Sequence, residues 1–389
     1  MILDLSKVAQ RYFSHQRVPE LYRDIREYLP RERFREFRKA WVVNNLLRGP
    51  RRRKRVERKH GCELPAIINI SPSEACNLRC RGCYATAYEK GQEIEPGQLE
   101  KVVAEARRLG IYFVGILGGE PLLRKDLLPL LARHKDVAFR ISTNGTVIDD
   151  EIVAWLKRLG HVVLFFSLEG TAEDTDSWRG AGIYRRITDN MRLLARERVL
   201  FGFSALLHAR NGAVVASRDF LDEMARLGNR FGLFFPYGPV GVEQHFDLVL
   251  EEQELGRLLG RLDSLQPHYS MLLLHEGRGS NDPEFGGVLE QGCRAGVTVH
   301  VTPRGHVEPC NAIQFSTENV LENGLLETFC SPFYKDVSRC VKKNHGRCLA
   351  IYEPEQVLGL VSRHAAQATN AAALPCFVRY AEFRQGRDS

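Results

Sequence analysis

The chain has 389 residues, of which 44% are hydrophobic and 26% charged, and its formal net charge is +7 at pH 7. These values are ordinary for a folded protein, and the length suits a barrel-sized domain with a smaller one. No apolar run approaches the roughly eighteen residues that cross a bilayer, and the first residues lack the form of a secretory signal, so we expect a cytoplasmic protein. Ten cysteines in that compartment indicate metal or redox chemistry rather than disulfides.

The first 61 residues are unusually basic, with 18 Lys and Arg against 7 Asp and Glu, so the rest of the chain carries a net charge of −4. Basic residues concentrate in residues 48–60 and follow helical stretches with large apolar side chains. These apolar residues are Leu21, Tyr22, Ile25, Tyr28, Leu29, Phe34, Phe37, Trp41, Val42 and Val43. The pattern favours peripheral contact of residues 1–61 with an anionic membrane at its inner face, with nucleic acid second. A phosphate-bearing substrate, or a solvated face without a partner, stays open.

Three cysteines follow the first predicted strand, residues 64–71, whose continuous apolar character is typical of a buried parallel strand. Cys76, Cys80 and Cys83 therefore lie on a loop at the carboxyl end of a strand, where α/β proteins bind ligands. Their CxxxCxxC spacing supplies three thiolates, and no fourth cysteine or histidine follows closely. A structural zinc site or an electron-transfer cluster normally needs four ligands, so the pattern indicates an iron-sulfur cluster with one open iron.

Further strands alternate with helical stretches along the next 150 residues. Apolar runs predict strands at 111–117, 137–142, 162–167, 201–207 and 231–235. Three- and four-residue periodicity predicts helices at 97–109, 149–159, 184–197 and 214–227. The alternation predicts a parallel, right-handed wound sheet, for which both an open doubly wound sheet and a barrel are compatible.

The cysteine motif, followed about one βα unit later by the sequence LGGEP at 117–121, resembles the radical S-adenosylmethionine (radical SAM) superfamily. The resemblance implies an α/β fold with a partial (βα)6 TIM-like barrel. It also implies that the three cysteines hold a 4Fe-4S cluster whose unique iron is chelated by S-adenosylmethionine. Gly118, Gly119 and Glu120 would bind the amino group of that cofactor. An ordinary strand-to-helix turn is the alternative for this motif.

Two later motifs resemble further stretches of the same superfamily. They are STNG at 142–145 and SLEG at 167–170, where Ser142, Asn144 and Ser167 are expected to approach the ribose and methionine parts of the cofactor. Arg179 resembles the arginine that pairs with the methionine carboxylate, a role that suits a planar guanidinium. A solvated surface charge is the alternative for Arg179.

One position departs from the superfamily pattern. Many members carry an aromatic residue just before the third cysteine, where it packs on the adenine, and this chain has Gly82 there. Tyr84, on the other side of Cys83, is the candidate for part of that contact.

Six cysteines lie beyond residue 290. Cys293 and Cys310 flank two short apolar runs joined by a Pro-Arg-Gly turn, which predicts a hairpin and resembles the opening of SPASM and twitch auxiliary-cluster domains. The resemblance implies one auxiliary 4Fe-4S cluster held by Cys293, Cys310, Cys340 and Cys348. Cys330 and Cys376 are reserve ligands, members of a second cluster, or buried thiols. Cys62 is expected to be a small buried apolar residue or an unpaired thiol.

Four segments follow from these patterns. We expect a basic helical extension over 1–62, a radical SAM core over 63–270, a linker over 271–289 and a SPASM/twitch-like domain over 290–389.

The resemblance implies a radical SAM enzyme that takes an electron from a flavodoxin- or ferredoxin-type donor. It would cleave S-adenosylmethionine to a 5′-deoxyadenosyl radical and abstract hydrogen from an unactivated substrate carbon. The first 60 residues lack the strand periodicity of a peptide-capturing winged helix, which favours a lipid, lipid-linked or phosphorylated small molecule. A ribosomal peptide maturase is the alternative substrate class, and a non-catalytic iron-sulfur carrier or sensor is the alternative of another class.

Overall fold

The computed structural model describes residues 18–275, 298–344 and 347–388. Within these ranges, nine strands form one curled half-barrel sheet. They are β1 (Ile67–Ile70), β2 (Phe113–Ile116), β3 (Ala138–Thr143), β4 (Val162–Leu168), β5 (Phe201–Leu207), β6 (Phe231–Pro236), β7 (Leu272–His275), β8 (Thr298–Val301) and β9 (Val307–Glu308). The spatial order is β7-β6-β5-β4-β3-β2-β1-β8-β9, and every neighbouring pair is parallel except β8 and β9. The expected partial barrel is confirmed.

Helices connect the strands and cover the sheet. Before β1 they are α1 (Val18–Tyr28), α2 (Arg31–Phe37), a π-helix (Arg38–Arg48) and α3 (Gly49–His60). Between β1 and β7 they are α4 (Pro96–Leu109), α5 (Leu127–Leu131), α6 (Asp150–Leu156), α7 (Ala172–Arg179), α8 (Ile183–Arg196), α9 (Gly212–Val215), α10 (Arg218–Arg226) and α11 (Glu252–Leu265). After β9 they are α12 (Val320–Asn323), α13 (Leu325–Cys330), α14 (Pro332–Lys343), α15 (Leu349–Tyr352), α16 (Pro354–His364) and α17 (Ala373–Asp388).

Short elements complete the description. Single 3-10 turns occupy Tyr84–Ala87, Pro121–Leu123, Phe246–Leu248 and Gln266–His268. β10 (Phe315–Ser316) and β11 (Gln367–Ala368) form a separate antiparallel pair. None of the described helices is long and apolar enough to cross a bilayer.

The six strands predicted from apolar runs are β1 to β6, and the predicted helices follow closely. The exception is the helix predicted over 214–227, which forms as α9 and α10. The break occurs at Ser217, whose hydroxyl accepts a hydrogen bond from the backbone N–H of Phe220 and so begins a new helix. Periodicity alone does not show such a cap inside a continuous apolar pattern.

The two faces of the sheet have different covers. Side chains such as Phe139, Phe166 and Phe203 are buried in the large core that contains the apolar faces of the connecting helices. On β4, Val163 and Phe165 alternate with the core residues Leu164 and Phe166 and point to the inner face of the curled sheet. Parallel strands that are buried on both faces explain the continuous apolar runs in the sequence.

The N-terminal helices fill this inner face. Leu21, Ile25 and Phe37 pack against Val163 and Phe165, in one cluster that also contains side chains of β6 and β7. The side-chain N–H of Trp41 donates to the His161 carbonyl at 3.1 Å. Most of the apolar side chains on which the predicted peripheral membrane contact was based therefore lie against the barrel, and the membrane contact itself stays a prediction.

The barrel sheet extends beyond the predicted core. β7 lies inside the segment predicted to be a linker and pairs with β6. The hairpin predicted between Cys293 and Cys310 is present as β8 and β9, but β8 also pairs in parallel with β1. The C-terminal hairpin thus lies directly beside β1, the strand that leads into the cysteine loop. Cys293 itself lies outside the described residues.

Two cysteines form a disulfide that the sequence analysis did not anticipate. Cys62 and Cys330 are bonded, with their Cα atoms 4.9 Å apart and a sequence separation of 268. Cys62 is buried as expected, but the interpretation as an unpaired thiol is wrong. Cys330 is consequently not available as a reserve cluster ligand. The bond joins the segment after α3 to the end of α13.

Candidate active site

The three cysteines of the CxxxCxxC motif lie as free thiols on the loop that leaves β1. Cys76 is exposed, whereas Cys80 and Cys83 are partly buried. Burial raises the pKa of Cys80 to about 11, nearby Arg179 lowers it, and the other two cysteines raise it. The three thiols are therefore close enough to influence one another. A left-handed φ of 61° at Gly82 lets the loop turn between the second and third cysteines.

The GGEP backbone runs directly against the cysteine loop. The N–H of Gly119 donates to the Ser73 carbonyl at 3.1 Å, and that of Glu120 donates to the Ala75 carbonyl at 2.8 Å. A Cβ on Gly118 would lie 2.3 Å from the Ser73 oxygen, and φ at Gly118 is 113°. Glycine is required here because the two loops approach more closely than any side chain permits.

Glu120 joins the ends of β2 and β3. Its carboxylate is buried and accepts hydrogen bonds from the Thr143 hydroxyl at 2.8 Å, the Asn144 N–H at 2.6 Å and the Leu122 N–H at 3.1 Å. Burial raises the pKa of Glu120, while these donors act in the opposite direction. The carboxylate thus holds the GGEP and STNG motifs together.

The STNG motif also reaches the cysteine loop. The Asn144 amide donates to the Asn77 side-chain oxygen at 2.9 Å and lies 3.8 Å from the Cys76 sulfur. Ser142 and Ser167 are partly buried at the carboxyl ends of β3 and β4. Both lie on the inner face of the sheet, so they share one mouth with the cysteine loop.

Arg179 is paired rather than solvated. Its guanidinium donates to the Glu169 carboxylate at 2.5 Å and lies 3.9 Å from the Cys80 sulfur. The Nε of Arg179 and the second carboxylate oxygen of Glu169 are buried without hydrogen-bond partners among the described residues. Unpartnered buried polar atoms are costly, and this pair leaves one donor and one acceptor unsatisfied close to Cys80.

Tyr84 lies on the buried side of the cysteine loop. Its ring contacts the rings of His300 and Tyr88, with centroid distances of 6.0 and 6.4 Å. Gly82 instead faces Trp178 and Tyr237, to which a Cβ at Gly82 would come within 3.4 and 3.5 Å. The contact expected of Tyr84 with an adenine ring stays a prediction.

Sequence reasoning missed an aromatic cluster beside Gly82. Trp178 stacks on His208 with ring centroids 5.2 Å apart, and Tyr237 and His245 lie at 6.3 Å from Trp178. The backbone N–H of Arg81 donates to the Trp178 carbonyl at 3.0 Å, which ties the cluster to the cysteine loop. His208 and Tyr237 directly follow β5 and β6, and that position at a strand end was the available signal.

The C-terminal cysteines give a less complete picture. Cys310 follows β9, Cys340 lies on α14 with its thiol 3.2 Å from the Gln356 oxygen, and Cys348 precedes α15. In the described ranges, no three His, Cys, Asp or Glu side chains converge on one metal ion. A cubane differs from a single ion because each thiolate binds a separate iron, so this finding leaves both cluster assignments as predictions.

Cys376 has protein partners of its own. It is buried, and its thiol donates to the Pro239 carbonyl at 3.2 Å and contacts the Gln244 amide. Both partners lie on the loop that follows β6. The structure therefore favours the buried-thiol interpretation of Cys376 over that of a reserve ligand.

The observed side chains fit an iron-sulfur cluster with a zwitterionic ligand. Three free thiols share one loop, glycines bring a second backbone against it, and an arginine and a glutamate offer unpartnered atoms beside Cys80. Residues 70–212, which contain all of these groups, match the family model described as the radical SAM superfamily.

Similar proteins cover parts of the chain. The mycofactocin maturase MftC of Mycobacterium ulcerans is 32% identical over 180 residues, which is 45% of this chain and 47% of that protein. The Fe-coproporphyrin III synthase of Methanosarcina barkeri is 38% identical over 118 residues, covering 29% of this chain and 30% of that protein. The chain thus spans less than half the length of either relative.

Among solved structures, Streptococcus suis SuiB bound to precursor peptide SuiA superposes with a TM-score of 0.63 at 19% identity. The superposition covers 76% of this chain and 71% of SuiB, and it shows a shared fold. Together with the site geometry, the family match leads to one conclusion: residues 70–212 of this chain form a radical SAM domain.

Proposed function

We propose that this protein is an enzyme that binds a 4Fe-4S cluster through Cys76, Cys80 and Cys83 and uses S-adenosylmethionine to functionalise an unactivated carbon. The observation that carries the proposal is the meeting of the cysteine loop, the GGEP backbone and the Glu169–Arg179 pair at one barrel mouth. When bound, the two groups supply one-electron cleavage of a carbon–sulfur bond and, through it, hydrogen abstraction from the substrate.

The residues of the chain bind and orient. Arg179 is suited to a carboxylate because a guanidinium presents two parallel donors, and Glu169 places a negative charge beside it for an ammonium group. Gly118 and Gly119 keep the second loop free of side chains, so a ligand can approach the backbone.

A peptide is the substrate class that we favour. The lipid class was favoured because the first 60 residues lack winged-helix periodicity and are basic, and apolar side chains that accompany those basic residues are covered by the sheet. Two similar proteins point to peptides instead, because one is named a maturase and SuiB was solved with a precursor peptide. The aromatic cluster of Trp178, His208 and Tyr237 at the mouth offers flat surfaces on which a side chain or the peptide backbone can pack.

The basic face of α3 lies beside the residues that precede β2, at the end of the sheet opposite the cysteine loop, so it favours an acidic partner rather than a group on the substrate. Six basic side chains of this helix are exposed, namely Arg51, Arg52, Lys54, Arg55, Arg58 and Lys59. The same face gives an electrostatic route to acidic lipid headgroups without insertion, since each basic residue near such a surface contributes about 1 kcal/mol. We propose membrane contact of this electrostatic kind only.

Reductive cleavage of S-adenosylmethionine tests the main proposal. The protein is reconstituted anaerobically, reduced with dithionite and assayed for 5′-deoxyadenosine by mass spectrometry, in wild type, Cys80→Ala and Cys376→Ala. We expect product in wild type and in the Cys376 variant, which keeps the loop intact, and none in the Cys80 variant. Wild type that holds about four irons or more per chain yet forms no product would instead support the carrier or sensor class.

A further inference from the structure

A buried hydrogen-bonded network joins the cysteine-bearing strand to the C-terminal hairpin. The Ser71 hydroxyl, just after β1, lies 2.7 Å from His300 Nε2 on β8. His300 Nδ1 lies 2.6 Å from a carboxylate oxygen of Glu308 on β9. All three residues are 0% exposed, so no solvent competes for these bonds.

Glu308 collects donors from two further segments. Its other carboxylate oxygen accepts the Tyr88 hydroxyl at 2.7 Å and also the Thr369 hydroxyl. Tyr88 belongs to the chain that leaves the cysteine motif, and Thr369 follows β11. One buried carboxylate therefore links the hairpin, the cysteine loop and the C-terminal region. Loss of any partner would destabilise the network, because an unpaired charge is costly in this buried environment.

The network supports the residue that follows the third cysteine. Tyr84 rests edge-on against His300 and Tyr88. Ser71, which His300 holds, lies beside Gly118, where a built Cβ would come within 3.5 Å of the Ser71 Cβ. A shift of the hairpin would therefore move Tyr84 and, with it, the adjoining Cys83. The same shift would reach Gly118, so both cofactor motifs depend on the position of β8 and β9.

We propose that His300 and Glu308 are positioning residues that fix Cys83 and Gly118 relative to each other from the C-terminal hairpin. The proposal rests on the proposed function only in taking Cys83 as a cluster ligand. Through this connection, the hairpin that ends at Cys310 governs the geometry of the barrel mouth without touching the cofactor or the substrate.

The chain offers a matched control. Asp263 and His275 form another carboxylate–histidine hydrogen bond, at 2.8 Å, and His275 lies on β7 at the opposite edge of the sheet. Asp263→Asn disturbs a comparable pair away from the cysteine loop. Glu308→Gln keeps the volume and one acceptor for Tyr88 but presents an amide where His300 meets a carboxylate.

Hydrogen exchange and electron paramagnetic resonance separate positioning from general stabilisation. In cluster-free full-length protein, we expect Glu308→Gln to raise amide exchange over residues 76–88 by about tenfold relative to Asp263→Asn, because loss of one strong buried hydrogen bond eases local opening. In reduced, reconstituted protein, the spectral change on adding S-adenosylmethionine should be altered in Glu308→Gln and native in Asp263→Asn.

The outcomes are distinct. Equal exchange over residues 76–88 in the two variants, with a native spectral response in both, would show that the network only stabilises the fold and would overturn the proposal. If Glu308→Gln does not fold, Tyr88→Phe removes a single donor to the carboxylate and should produce the same changes at smaller amplitude. If wild type lacks cleavage activity but the two variants differ in exchange as expected, the proposed function is refuted and the positioning role stays intact.

Discussion

Gly118 combines a left-handed φ with a close approach to the cysteine loop, and its replacement by alanine gives a sharp test of the site. An alanine there must adopt a φ of 113° and would place its Cβ 2.3 Å from the Ser73 carbonyl oxygen. The backbone strain costs about 1–2 kcal/mol. Moving the carbonyl away also weakens the hydrogen bond from the Gly119 N–H, which costs about 1 kcal/mol more. We expect the free energy of unfolding to fall by about 2–3 kcal/mol in total.

A second glycine separates strain from collision. Gly182 has a φ of 78° and no heavy atom within 4 Å of a built Cβ, so Gly182→Ala incurs the strain without the contact. Gly97 has neither feature, and Gly97→Ala should be neutral within about 0.5 kcal/mol. Urea unfolding of the three variants gives the stability differences.

Calorimetric titration of anaerobically reconstituted protein with S-adenosylmethionine gives the functional readout for the same variants. We expect Gly118→Ala to lose affinity at least about tenfold, because the displaced loop alters both the thiol spacing and the GGEP backbone. Gly182→Ala and Gly97→Ala should bind as wild type does. If Gly118→Ala is no less stable than Gly182→Ala and binds the cofactor normally, the argument from close approach fails.

Three further predictions concern the Glu169–Arg179 pair, the packing of the N-terminal helices through Glu36, and the basic face of α3. Arg179→Gln should weaken S-adenosylmethionine binding by about 10- to 100-fold, with Arg179→Lys between it and wild type, because lysine keeps the charge but not the paired donors. Burial alone would raise the pKa of Glu36, but hydrogen bonds from His161 and Lys135 lower it to about 2, so its stabilisation is full above pH 4.5 and is lost as the pH falls towards 2. Urea unfolding should therefore show a difference of up to about 3 kcal/mol between wild type and Glu36→Gln at pH 7 that disappears near pH 2; an equal difference at both pH values would contradict this. Flotation with acidic vesicles should retain the full chain at low salt and release it at 0.5 M salt, whereas a variant with the six exposed basic residues of α3 changed to glutamine should not float at either; retention at high salt would contradict a purely electrostatic contact.

The strands that the sequence revealed are those whose signal is local. β1 to β6 are apolar runs of ordinary length between helical stretches, and each is buried on both faces. β7 is only four residues long and falls in a segment that follows a helix ending in a 3-10 turn. The pairing of β8 with β1 joins residues 67–70 to residues 298–301, and no pattern within either segment specifies the other.

The N-terminal helices show what amphipathicity can and cannot predict. The spacing of Leu21, Ile25 and Phe37 correctly indicates one apolar face. A membrane, a partner and the inner face of a sheet would all satisfy that face equally well, because burial of apolar area is not directional. The structure decides between them, because the inner faces of β4, β6 and β7 form an apolar surface that these helices cover.

The candidate site likewise contains features that the sequence predicts and features that depend on tertiary packing. Cysteine spacing and the two glycines were readable because their chemistry depends on neighbours in sequence. The pairing of Glu169 with Arg179 and the stacking of Trp178 on His208 depend on how α7 lies over the mouth, which spacing does not encode. The disulfide between Cys62 and Cys330 is the extreme case, because its partners have a sequence separation of 268.

The inner face of β4 changes from apolar to polar towards the carboxyl end of the strand, and this change indicates where a substrate would bind. On β4 the inward positions are Val163, Phe165 and then Ser167, and on β3 they are Arg140 and then Ser142. The apolar end is covered by the N-terminal helices, while the polar end meets the cysteine loop. We therefore expect a substrate to approach from the carboxyl ends of the strands, because side chains such as Leu21 and Phe37 cover the apolar end. Residues around the mouth, above all the stacked pair of Trp178 and His208, are consequently the ones whose replacement should change substrate choice while leaving uncoupled cleavage of S-adenosylmethionine intact.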